Sequence, residues 1–140
     1  MSKRITFEAL IAKREQRAAD KLKVGMLDIP GSDMALEVRM PSQKVVLEIY
    51  GELSESNGAL EALECGRHAL YAVCPQLQDR KLQEELGVAE NPMSIIDALF
   101  SLAEQDTLGG KALRFMGLLL DTKPDGTEKP GDPALETVKN

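Results

Sequence analysis

The sequence predicts a mainly α fold with one β-hairpin, an α+β chain built as a small helical domain. Three observations carry that prediction. The chain has 140 residues and a mass of 15.3 kDa, room for one hydrophobic core and not for a second. Apolar residues recur at i, i+3 and i+4 along most of its length, the mark of helices that bury one face. A single stretch alternates with period two, the mark of a strand. With 43% apolar and only 4% aromatic residues, the predicted core is large and aliphatic.

The first helix is expected over Thr6–Lys23. Thr6 can cap it, Glu8 lies in the first turn where the helix dipole favours an anion, and Phe7, Ile11, Ala18 and Leu22 share a face. Met34, Leu36, Val38 and Met40 then alternate with Ala35, Glu37 and Arg39. With the apolar Val24–Ile29 and the turn residues Pro30-Gly31-Ser32-Asp33, they predict a hairpin at about 24–40. An isolated hairpin is marginal in water, so one side of it must lie on the helices.

Ser42 is the expected cap of a helix to about Leu53, with Val45, Val46, Ile49, Tyr50 and Leu53 as its stripe. After the polar link 54–58, Ala59–Cys74 is predicted helical with Leu60, Leu63, Leu70 and Val73 inward, and Pro75 ends it. Asp79 caps a short helix that sets Leu82 and Leu86 on one side with Leu77, and Gly87 follows its end. Asn91-Pro92 opens a helix expected to run through Glu104 with Ile95, Ile96, Leu99 and Leu102. Thr107 starts the last helix, which carries Leu113, Phe115, Met116 and Leu118–Leu120, with Gly109-Gly110 as a loose spot. The domain is thus expected over residues 1–120. Residues 121–140 hold three Pro and two Gly among polar residues and are expected to form a disordered tail.

Charge narrows the function. The net charge is −6 and the pI about 4.9, which argues against a nucleic-acid binder that must neutralise phosphates. Its distribution is uneven. Residues 1–23 hold seven Lys/Arg against three Asp/Glu, a net of +4, while residues 24–140 hold ten against twenty, a net of −10. A basic arm on an acidic body can dock on that body or on an acidic partner. No apolar run approaches the ~20 residues that a membrane span requires. A charged helix stands where a signal peptide would have its apolar core, so a cytoplasmic protein is expected.

No chemical constellation emerges. Cys65 and Cys74 lie nine residues apart on one helix, half a turn out of phase, and read as buried free thiols. His68 is the only histidine and pairs with Cys65 at i, i+3, too few ligands for zinc. No G-x-S-x-G elbow or phosphate-binding glycine pattern is present, and Glu48, Glu52, Glu55, Glu61 and Glu64 fall on polar helix faces. Lys123 and Pro124 spoil the faint calcium-loop pattern at Asp121–Gly126. The expectation is a protein without enzymatic activity, cofactor or metal.

One stretch is more specific. Leu70–Val88, with Cys74-Pro75-Gln76-Leu77, the acidic Asp79, Leu82-Gln83 and Gly87-Val88, resembles the middle of the XkdN-like phage tail assembly chaperones. A second apolar helix like Ser94–Glu104 follows in that family, and the order of features agrees: N-terminal helix, short β segment, helices, and a tail closing on Lys139-Asn140. The residue pattern covers Leu70–Leu102 and the architecture about Lys23–Leu120. The basic arm is longer than the family pattern leads one to expect. The resemblance implies a bacteriophage or prophage protein of the host cytoplasm, absent from the mature virion, that aids virion assembly. Its implied partners are the tape measure protein, which it keeps soluble, and the tail-tube protein. The competing expectation is a small regulatory or nucleic-acid adaptor acting through the basic N-terminal helix; an enzyme subunit is a third.

A partner-binding face is expected on the last two helices, at Ile96, Leu99, Phe100, Phe115, Met116 and Leu119. These helices carry apolar residues at more positions than one buried stripe requires, and leftover apolar surface marks an interface. Either the hairpin and first helix cover that surface, or a homo-oligomer does, if no partner takes it.

Overall fold

A computed structural model describes residues 3–119. The expected tail therefore lies outside the described residues. Among the described residues, nine elements follow in order: α1 (Phe7–Asp20), β1 (Val24–Asp28), β2 (Ala35–Arg39), α2 (Gln43–Glu55), α3 (Gly58–Val73), a 3-10 turn (Pro75–Gln78), α4 (Arg80–Glu85), α5 (Ser94–Leu99) and α6 (Leu102–Phe115). The fold is mainly α with one antiparallel hairpin, as predicted. Among the described residues, no helix is long and apolar enough to cross a membrane.

Local chemistry sets most boundaries. The Thr6 hydroxyl accepts from the Ala9 amide at 3.1 Å, and Ser42 does the same for Val45 at 3.3 Å. Asp79 accepts from the Leu82 amide at 3.1 Å. Each cap satisfies an amide that the first helical turn leaves unpaired. In the hairpin, Gly25 pairs with Val38 and Leu27 with Leu36, and this register turns Leu27 and Val38 into the core. Gly31 has a φ of 74°, a left-handed conformation that the turn requires and glycine permits.

The core lies between α3 and α6, the most extensively packed pair. Buried Ala69, Leu70 and Val73 of α3 share it with Leu108, Ala112 and Leu113 of α6 and with Ile95, Ile96 and Leu77. The two helices meet at a glycine–glycine crossing. A Cβ on Gly109 would lie 2.8 Å from the Gly66 Cα, so neither helix tolerates a side chain there without moving apart. The hairpin is tied to the far end of α6. The Lys111 ammonium donates to the Asp28 carbonyl and that of Lys23 to the Phe115 carbonyl, both at 3.1 Å. The Phe115 ring lies against Gly25, where a Cβ would come within 3.0 Å of it.

Four expectations are corrected. The helix expected through Glu104 stops at Leu99, Phe100 is extended, and α6 starts at Leu102 instead of Thr107. Ser101 and Glu104 form a reciprocal capping box, 3.2 Å and 2.8 Å, which makes a new start cheaper than continuation. Consequently Gly109-Gly110 lies inside a helix, with Gly109 at its tightest contact, and is no loose spot. In α4, Leu82 packs against the core but Leu86 is exposed, and Gln83 is the buried residue. Its amide donates to Tyr71 Oη at 3.1 Å and to the Leu77 carbonyl at 2.9 Å, the condition for burying a polar group there. Tyr50 of α2 and Leu60 of α3, both expected inward, are exposed.

Candidate functional site

The six residues expected to form a partner face do not form one. Ile96 is 0% exposed, and Phe100 and Met116 are buried with it in the core. Phe115 and Leu119 are half-buried; Leu119 lines a cavity of ≈ 70 Å³ with Leu53, Ala62 and Leu113. Only Leu99 is exposed, at 41%. The physical reason is the break at Phe100. It ends α5 and restarts the helix at Leu102, and Ile96, Phe100 and Met116 are all taken into one core.

The apolar surface emerges elsewhere, at the N-terminal ends of α3 and α6. Ala59, Leu60 and Leu63 of α3 and Leu102, Ala103 and Asp106 of α6 line an open groove of ≈ 690 Å³. Leu60 is 71% exposed and Leu102 66% exposed. Beneath them the Gly66–Gly109 contact draws the helix backbones together, which leaves their N-terminal side chains as the walls of a shallow trough. The charge is one-sided. Residues 58–64 carry Glu61 and Glu64, residues 102–106 carry Glu104 and Asp106, and neither stretch holds a Lys or Arg.

Polar contacts tie the neighbouring turns of α3, α5 and α6 together. Arg67 donates to Glu64 at 3.0 Å and to Asp97 of α5 at 2.8 Å. Gln105 donates to Asp97 at 3.1 Å and to the Phe100 carbonyl at 3.0 Å, fixing α5, the break and α6 as one unit.

Sequence reasoning placed Leu60 inward because it sought a leucine stripe. The buried stripe of α3 is built around smaller residues, Cys65, Gly66, Ala69 and Val73 with Leu70, and Leu60 falls off it by more than a quarter turn. The spacing of those small residues was the available signal.

Burial pushes the Cys65 thiol above its ordinary 9.0, with Glu52, Glu61 and Glu64 adding to the effect. Burial also raises Cys74, against hydrogen bonds from the Leu77 and Gln76 backbone. A thiol held neutral is a poor nucleophile. The His68 Nδ1 lies 2.9 Å from Glu52, a partly exposed pair that clips α2 to α3. Among the described residues, no three His, Cys, Asp or Glu side chains converge as metal ligands would.

α1 is the second unusual surface. None of its residues is buried, and Phe7 is 73% exposed with Leu10 and Ile11 beside it and Leu22 just beyond its end. The first helix therefore does not cover the surplus apolar surface, and it adds its own.

No family model matches the chain, and neither a curated protein nor a solved structure is detectably similar to it.

Proposed function

We propose that the chain is a non-enzymatic tail assembly chaperone of a bacteriophage or prophage, which holds helical segments of the tape measure protein and helps recruit tail-tube subunits. The observation that carries this reading is the exposed trough of Leu60, Leu63 and Leu102 with its acidic rim. An amphipathic helix laid in such a groove buries its apolar side, and the carboxylates select basic residues at its margins. A long client helix covered in this way is kept from self-association, and the −6 charge of the chaperone repels neighbouring complexes. The proposed identity of the client rests on the resemblance of Leu70–Val88 to the XkdN-like family.

Co-expression with the tape measure protein of the same phage tests it. The client is expected in the soluble fraction with the wild-type chain, and in the pellet with a Leu60→Asp, Leu102→Asp variant. Both residues are mainly exposed, so that variant retains the wild-type circular dichroism and melting. A client equally soluble with both chains overturns the groove as its binding site; one that never associates with the wild type overturns the chaperone reading.

A second reading rests on the exposed α1 and the basic residues that flank it, which give residues 1–23 a net +4 and suit an adaptor that docks on an anionic partner. Salt-sensitive binding to duplex DNA, lost on Arg14→Glu and Arg17→Glu, would favour it.

A further inference from the structure

We infer that α1 of one chain docks in the α3–α6 groove of a second copy, and that the exchange is reciprocal, giving a two-fold dimer in the absence of client. This deepens the reading above, since it takes the groove to be a helix-binding surface, but it does not depend on the client's identity.

The two surfaces are complementary in kind. α1 presents Phe7, Ile11 and Ala18 along one side, with Arg14, Arg17 and, just past its end, Lys21 on one flank and Glu8 and Glu15 on the other. The groove presents Leu60, Leu63 and Leu102, and Glu61, Glu64 and Asp106 stand on the stretches that form it. An apolar ridge with a cationic flank meets an apolar trough with an anionic rim. An exposed Phe7 and an exposed Leu60 in one chain are two unmet demands of the same chemistry.

The occupant is a second copy, because within one chain Phe7, Leu60 and Leu102 all stay exposed and α1 does not fill its own groove. The Lys21, Leu22 and Lys23 amides donate to the Arg17, Ala19 and Asp20 carbonyls at 3.0–3.2 Å, so the helix passes into the hairpin with no slack residue. The Lys23 carbonyl then accepts from the Met40 amide at 2.9 Å, and its ammonium is held on the Phe115 carbonyl and over the Phe115 ring. This anchor lies at the C-terminal end of α6, while the groove lies at its N-terminal end, about 20 Å away at 1.5 Å per residue, a span that the 14-residue α1 covers only by bending back at the junction. Folding α1 back would break the junction. Exchange between two chains leaves it intact and satisfies both arms at once.

Sedimentation of the full chain, without any client, tests the proposal. A dimer is expected at micromolar concentration, with a dissociation constant raised about tenfold or more by Phe7→Glu, Ile11→Glu in the arm, by Leu60→Glu, Leu102→Glu in the groove, and by high salt. These four side chains are exposed, so a loss of dimer is not a loss of fold. Oxidising a mixture of Phe7→Cys chains and mass-tagged Leu60→Cys chains is expected to yield disulfides between the two. A monomer at tens of micromolar, an arm variant that dimerises like the wild type, or a Phe7→Cys, Leu60→Cys chain that closes within itself each overturns it. A monomer that still solubilises its client leaves the chaperone reading standing, and a dimer that binds none separates the two the other way.

Discussion

Gly109 and Gly110 are adjacent in sequence and opposite in consequence. A methyl on Gly109 points into the Gly66 backbone, a contact at 2.8 Å that only separation of α3 and α6 relieves. Gly109→Ala is expected to cost about 1–3 kcal/mol, read as a lower melting temperature. A methyl on Gly110 meets only the flexible end of Arg114 at 3.3 Å, so Gly110→Ala is expected to be neutral or to gain up to about 1 kcal/mol in helix propensity. Denaturant melts of the two variants side by side check the contrast. The cysteines give a prediction in pH. Their thiols are raised above 9.0 in the folded chain, so as pH climbs past that value the unfolded chain loses protons that the folded chain keeps. Stability is therefore full below about pH 9 and falls above it, and Cys65→Ala, Cys74→Ala should flatten that decline in a urea series. Residue identity alone does not disclose either role, because both depend on what lies across the interface.

At the scale of elements, capping chemistry was the most legible signal and its omission the most costly. Thr6, Ser42 and Asp79 stand where side-chain propensity puts them, and each bonds the expected amide. Ser101-Leu102-Ala103-Glu104 is a capping box by the same rules, yet the apolar run Ile95–Leu102 outweighs it when periodicity is read first. Ser101→Ala is expected to cost about 1 kcal/mol, and slowed hydrogen exchange over the first turn of α6 should be lost with it. In α4 the apolar pattern selected Leu82 correctly and Leu86 wrongly, because a six-residue helix has one inward turn and Gln83 occupies its other side. Leu82→Asp sets a charge against the core on which Leu82 packs and is expected to cost about 3 kcal/mol, enough to aggregate the chain on expression. A soluble variant with a wild-type melt would show α4 to be peripheral.

For the whole molecule, the governing feature is the separation of a basic helical arm from an acidic body. Removing residues 1–20 is expected to leave the melting temperature of the remaining body unchanged at concentrations where it is monomeric, since no α1 residue is buried. The same deletion should abolish the concentration dependence of melting that an exchanged dimer confers, which calorimetry at two protein concentrations reads directly. The fold class, the hairpin, the order of helices, most of their caps and the charge asymmetry were determined by the sequence itself. Each follows from interactions between residues a few positions apart: periodicity, capping, turn chemistry and net charge. The break at Phe100, the Gly66–Gly109 crossing, the burial of Ile96, Phe100 and Met116 and the exposure of Leu60 and Leu102 were decided only by the tertiary structure. An apolar residue is equally satisfied in a core or in an interface, and only the geometry of packed helices settles which of its faces meets water.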